Sequence, residues 1–244
     1  MKNIRLKLEY DGTNYSGWQK QKNATTIQQT VEEAIYKATN EQIELIGVSR
    51  TDAKVHAKEY ICNFTIDSKI PGKNFKKVIN AKLPSDIVAL DSEEVSLEFH
   101  SRFNNRGKTY IYTVLNTSSP IAIGRNYSYH FAHKLNVDNM SEAARYFIGT
   151  HDFSAFKSSG SDKKNCVRTI TGLEVAREGD YIKFIVSGDG FLYNMVRIIV
   201  GTLLEVGIEK RKPHSIKNVI ESKDRLKAGP CVPGHGLCLY RVFY

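Results

Sequence analysis

Residues 167–187 read VRTITGLEVAREGDYIKFIVS. Two runs rich in β-branched and aromatic residues, VRTITGLEVA at 167–176 and YIKFIVS at 181–187, flank Glu178-Gly179-Asp180. That pattern predicts an antiparallel hairpin closed by a tight turn. Beyond it, the apolar stretch from about Leu192 to Val206 predicts a long helix, a shorter helix begins near Pro213, and LCLYRVF at 237–243 returns to strand composition. Ahead of it, Tyr110, Tyr112 and Val114 alternate within KTYIYTVLN at 108–116, and residues 137–148 carry helical spacing.

The first half has the same style. Ile4, Leu6, Leu8 and Tyr10 alternate with Arg5, Lys7 and Glu9, the period of a half-buried strand. Asp11-Gly12-Thr13 breaks that pattern, and Thr26 stands three residues before Gln29 in a capping-box arrangement that opens a helix through Ile27, Val31, Ile35 and Ala38. Residues 43–48 read as a second strand, and Tyr60, Cys62, Phe64 and Ile66 alternate as a third. Between them lies the polar segment Ser49-Arg50-Thr51-Asp52-Ala53-Lys54-Val55-His56, read as a loop. Functional side chains are often carried on such a loop between rigid strands. Strands and helices mix without strict βα alternation, so the expected class is α+β with antiparallel sheet. The division falls near residue 104, giving subdomains 1–103 and 104–244 that together line one cleft.

Composition narrows the function. Lysine and arginine number 35 against 26 acidic residues, a formal charge of +9, which favours a polyanionic partner through counterion release. Cys62, Cys166, Cys231 and Cys238 are scattered and form no metal-ligand spacing, so reduced thiols and no structural metal are expected. The N-terminal residues alternate as a strand, unlike a signal peptide. The longest apolar run, Phe191 to Leu204, contains Arg197 and is too short for a membrane span, so the expected location is cytoplasmic with no membrane partner. No Walker A, G-x-G-x-x-G or G-x-S-x-G pattern occurs, which leaves a carboxylate-based reaction without nucleotide cofactor, other cofactor or metal.

Two readings fit Asp52. A loop aspartate commonly caps a turn. Arg197, however, is the only charged residue between Phe191 and Leu204, on a helix that is apolar nearly all round; it needs an acceptor if buried, and Asp52 is the proposed counter-ion, kept ionised as a nucleophile or electrostatic stabiliser. His56, four residues on, is read as a hydrogen-bonded loop residue rather than half of a metal site. Tyr110, Tyr112, Phe153 and Phe156 are either core rings or platforms on which an unpaired base stacks. The serine- and lysine-rich stretch from Lys157 to Lys164 reads equally as a phosphate-contacting or a merely solvated loop.

Taken in order, YDGTNYSGWQKQ at 10–21, TTIQQTVEEAI at 25–35, SRTDAKVHA at 49–57, KTYIYTV at 108–114, GTHDFSAF at 149–156, DGFLYNMVRIIVGTLLEVG at 189–207 and PGHGL at 233–237 resemble the TruA family of tRNA pseudouridine synthases. The resemblance implies two ferredoxin-like or RRM-like α+β subdomains that share a continuous, mainly antiparallel sheet, with helices on one face and a cleft between them. It implies cofactor-free isomerisation of a flipped uridine of tRNA at positions 38, 39 and/or 40, on the 3′ side of the anticodon arm. Asp52 matches the essential carboxylate, Arg50 the arginine that displaces and holds the flipped nucleotide, and Tyr110 the tyrosine stacked on the target base. Arg197 matches the partner of the aspartate, and Leu237 an apolar residue of the uracil pocket. A homodimer is also implied, one subunit docking the tRNA body while the other performs the chemistry. This chain departs from the family pattern G-R-T-D-A-G-V-H at Ser49 and Lys54, where two glycines are replaced. Lys54 therefore either remodels the loop or adds a phosphate contact. A divergent paralogue acting on another RNA, and a catalytically silent RNA-binding protein of the same fold, are the alternatives. A carboxylate hydrolase ranks last, for want of a second carboxylate beside Asp52.

Overall fold

The computed structural model of the chain describes residues 1–160 and 165–244. It is α+β, and it divides into two compact units, Met1–Arg106 with Cys238–Tyr244, and Gly107–Leu237. A division near residue 104 would leave the last strand with the second half; it packs with the first unit instead.

In the first unit, β1 (Lys2–Tyr10) runs antiparallel between β3 (His56–Ile66) and β4 (Ile87–Val95). The short β2 (Ile46–Gly47) pairs antiparallel with β3, and the C-terminal β10 (Leu237–Phe243) pairs parallel to it, Cys238 opposite His56. The expected second strand over 43–48 thus shrinks to two residues. Ile4, Leu6 and Leu8 are wholly buried along β1, as their alternation requires. On β3 the residues from Tyr60 to Phe64 are all buried, so both faces of the strand are covered there. Phe64 meets Phe75 edge-on at 5.7 Å, which seats α2 (Phe75–Asn80). On the other side, Asn63 donates to Asn3 Oδ1 (3.0 Å) and accepts from the Ser101 amide (2.9 Å) and hydroxyl (2.8 Å), so a polar network closes the chain over 96–101 onto β3. In α1 (Ile27–Thr39), the amide of Gln29 donates to Thr26 Oγ1 while the Gln29 side chain turns to Glu33, so only one half of the expected capping box forms.

The second unit has the strand order β5, β9, β8, β7, all antiparallel, with β6 (Tyr129–His130) parallel on β5. Their ranges are β5 Gly107–Leu115, β7 Gly149–Asp152, β8 Val167–Glu178 and β9 Tyr181–Gly188. The hairpin closes where expected, with Glu178 opposite Tyr181 and Gly179 at φ +59°. Helix α3 (Val137–Arg145) ends before the expected residue 148. Helix α4 (Met195–Gly207) buries nearly every residue, and the segment 228–232 lies against it closely enough that a methyl group on Gly201 would fall 1.9 Å from the Pro230 carbonyl oxygen. Helix α5 (Ser215–Ser222) follows the turn at Pro213. No helix among the described residues is long and apolar enough to cross a membrane.

Candidate active site

In the first unit the loop 49–55 joins β2 to β3. Its backbone is tied to the segment that follows β1: the Trp18 amide donates to the Thr51 carbonyl (3.0 Å) and the Lys54 amide to the Tyr15 carbonyl (3.1 Å). Within the loop the Val55 amide donates to the Asp52 carbonyl (3.2 Å), closing a turn around Ala53 and Lys54. Tyr10 and Thr51 share a hydroxyl hydrogen bond of 2.8 Å, and Tyr60, stacked on Trp18 at 4.0 Å, donates its hydroxyl to the Ser49 carbonyl. Two glycines permit this closeness. A methyl group on Gly12 would lie 2.1 Å from the Val55 carbonyl oxygen, and one on Gly17, at φ +91°, would lie 2.5 Å from that of Thr51.

On this seat Asp52 is half-buried, Thr51 is buried, and Arg50, Ala53 and Lys54 are exposed. Lys54 takes φ +64°, the left-handed region that a lysine occupies only under constraint. His56 is not a loop residue: it opens β3, buried, with its Nδ1 accepting from the Gly12 amide (3.0 Å) and lying 3.0 Å from Asp11 Oδ1. The Tyr15 hydroxyl donates to Asp86 Oδ1 at 2.7 Å, and burial together with that carboxylate pushes the phenol well above its ordinary pKa. The ring therefore stays neutral and serves as a fixed donor.

The second unit carries Tyr110, Arg197 and Leu237. Tyr110 stands on β5, 7% exposed, with its ring edge-on to Phe191 at 5.2 Å. Arg197 is half-buried while its helical neighbours Val196 and Ile198 are buried. Its guanidinium donates from Nε to the Val232 carbonyl and from NH1 to Asn194 Oδ1, both at 2.7 Å. Asn194, at φ +60° before α4, also donates to Ser158 Oγ (2.9 Å). The turn 233–237 rests on Tyr112, whose hydroxyl donates to the Pro233 carbonyl at 2.8 Å and whose ring would lie 2.7 Å from a methyl group on Gly236. Arg197 and Tyr112 thus hold the adjacent carbonyls of Val232 and Pro233, at the start of the segment that leads to Leu237, itself 6% exposed.

Several readings change with these positions. Phe153 and Phe156 are wholly buried, packed edge-on with each other (6.1 Å), and Phe156 likewise meets Phe147 (5.1 Å); they are core, as is Tyr112. Burial raises the Tyr112 hydroxyl far above the usual phenol range, so it remains a donor. Of the stretch from Lys157 to Lys164, residues 161–164 lie outside the described residues. Among the described residues no three His, Cys, Asp or Glu side chains come together as a metal site. The seat formed by Gly12, Gly17, Trp18 and Tyr60 is not among the sequence-based expectations, although two glycines within seven residues of the end of β1 signal close backbone approach.

The model for the family described as tRNA pseudouridine synthase matches residues 8–104 and 143–244. The chain belongs to that family. Its members are isomerases. A protein of Clostridium perfringens named tRNA pseudouridine synthase A 2 is 59% identical over 244 residues, covering 100% of both chains. Proteins named tRNA pseudouridine synthase A from Clostridium acetobutylicum and Acetivibrio thermocellus are 58% and 53% identical, again over 100% of both chains. Among solved structures, a chain of a Cbf5-Nop10-Gar1 complex aligns over 82% of this chain and 54% of its own, at 16% identity and a TM-score of 0.36.

Proposed function

We propose that this chain converts uridine to pseudouridine in the anticodon arm of tRNA, at positions 38, 39 and/or 40, with Asp52 as the catalytic carboxylate. The N1–C1′ bond breaks, the uracil turns, and C5 bonds to C1′. The proton displaced from C5 is accepted by a base and N1 gains one, so substrate and product have the same composition and no redox partner enters. Each route for this exchange uses an ionised oxygen at the nucleoside, either as nucleophile or as proton acceptor.

The observation that carries this reading is the seat of the loop. Asp52 is held in a turn pinned to a strand-anchored segment by the Trp18 and Lys54 amides and by the close approach of Gly12 and Gly17. Pinning of this kind lowers the reorganisation needed to present a carboxylate to a substrate atom. Arg50, exposed beside it, is suited to grip a phosphate or to occupy the gap left by the everted nucleotide, which offsets part of the unstacking cost of a few kcal/mol. Tyr110 stacks on the target base, Leu237 lines the uracil pocket, and Arg197 is the counter-ion of Asp52; these roles rest on the resemblance of their surroundings to the family pattern. A cytoplasmic homodimer, one copy docking tRNA for the other, rests on the same ground.

Carbodiimide labelling followed by primer extension on an unmodified tRNA transcript tests the reading. The purified protein should produce a stop in the anticodon arm, and Asp52→Asn should lose it while still binding the RNA. Equal labelling by the two proteins would defeat the proposal.

A further inference from the structure

Lys54 holds a backbone conformation that suits glycine, and its side chain gives the fold nothing visible in return. Its φ of +64° is imposed by its surroundings: the amide is held by the Tyr15 carbonyl, and the turn is closed by the Val55 amide on Asp52. Both bonds are made by backbone atoms and would survive with glycine at this position. The side chain is exposed, and among the described residues its ammonium has neither an ion-pair partner nor a hydrogen-bond acceptor. Lys58, Lys7 and Lys76 of the same unit pair with Glu9 (2.7 Å), Glu59 (3.2 Å) and Asp91 (3.2 Å), whereas Lys22, Lys37, Lys69, Lys73, Lys77 and Lys82, like Lys54, have no ion-pair partner among the described residues; the left-handed backbone beside Asp52 is what sets Lys54 apart.

A strained residue with an unmatched charge, two positions from Asp52, points to a ligand rather than to the core. The chain has a surplus of cations and its family acts on a polyanion. We infer that Lys54 is a substrate-positioning cation that binds an RNA backbone phosphate next to the nucleotide presented to Asp52. The inference rests on the assignment of Asp52 as the catalytic carboxylate. A single flexible ammonium suits this task, since it meets a phosphate as a point charge without demanding a fixed approach. Arg50, on the other side of Asp52, is also exposed, so the carboxylate is bracketed by two cations.

The test is the salt dependence of binding of an unmodified tRNA transcript to wild type, Lys54→Gln, Lys54→Gly and Lys54→Arg, with KM and kcat for conversion measured alongside. Glutamine keeps the strained backbone and removes the charge. It should weaken binding roughly three- to tenfold near 0.1 M salt, raise KM more than it lowers kcat, and make the slope of log K against log salt shallower by about 0.7–0.9, the value for one lost phosphate contact. Glycine should lose the same affinity while raising the melting temperature, and arginine should restore both affinity and slope. An unchanged slope and affinity in Lys54→Gln would overturn the inference, as would an affinity loss confined to Lys54→Gly. Asp52→Asn in the same conversion assay separates the two ideas. If that variant converts uridine at the wild-type rate the underlying assignment falls; if it is inactive and only the lysine variants behave as wild type, the phosphate contact alone falls.

Discussion

Gly17 and Lys54 occupy the same left-handed region on opposite sides of one contact, and they show what the site demands of its backbone. Gly17 needs both its φ of +91° and its missing side chain, because the Thr51 carbonyl oxygen would lie 2.5 Å from a methyl group. Lys54 needs only the conformation, for which a non-glycine residue gives up about 1–2 kcal/mol. Gly17→Ala should therefore destabilise the protein by about 1–3 kcal/mol and also displace the turn carrying Asp52, lowering kcat at saturating RNA. Gly179→Ala is the control: φ is +59° but nothing lies within 4 Å of the added carbon, so stability should fall in urea melts with kcat unchanged. Equal loss of kcat in both would show that Gly17 matters only for folding. At this scale the sequence was informative about identities and silent about supports. Asp52 stood out as a carboxylate on a polar segment between strands, whereas the ring of Tyr60 and the glycines that shape its seat are set by contacts between residues far apart in the chain.

Elements with local signals were the most legible. The hairpin of β8 and β9 closes at Gly179, as its composition implied, and α1 opens at Thr26. Thr26→Ala should cost about 1 kcal/mol, since it removes the acceptor for the Gln29 amide. A denaturant melt reads this directly, and no change would mean that the bond to Thr26 Oγ1 adds nothing to stability. Helix α2 and strand β4 escaped the reading for a physical reason. In the pairing of β1 with β4, Leu8 faces Ala89 and Lys7 faces Asp91, so Leu90 is an extra residue that shifts the alternation. Burial then moves from Ile87 and Ala89 to Ser92, whose hydroxyl accepts from the Lys76 amide and donates to the Gly72 carbonyl. Val88 and Leu90, both 40% exposed, further blur the contrast between the faces. On β3 the second buried face is closed by the amide side chain of Asn63, which hydropathy counts as polar.

For the whole molecule, the α+β class followed from the order of strands and helices, but the membership of the last strand did not. Cys238 and Leu239 pair parallel with His56 and Ala57 of β3, nearly two hundred residues away, and no local periodicity encodes such a partner. The charge of +9 is a property of the full chain, and it predicts salt-sensitive binding. Two phosphate contacts suffice for roughly a tenfold loss of tRNA affinity between about 50 and 200 mM salt. A salt-independent affinity would remove the electrostatic part of the account. The central claim concerns Asp52, and the most direct measurement is tritium release from tRNA carrying uridine labelled at C5, because that hydrogen leaves only when the new carbon–carbon bond replaces it. Wild type should release one tritium per uridine converted, and Asp52→Asn none, with tRNA affinity changed by less than about threefold. Release by Asp52→Asn at the wild-type rate would contradict the assignment of this carboxylate to the chemistry.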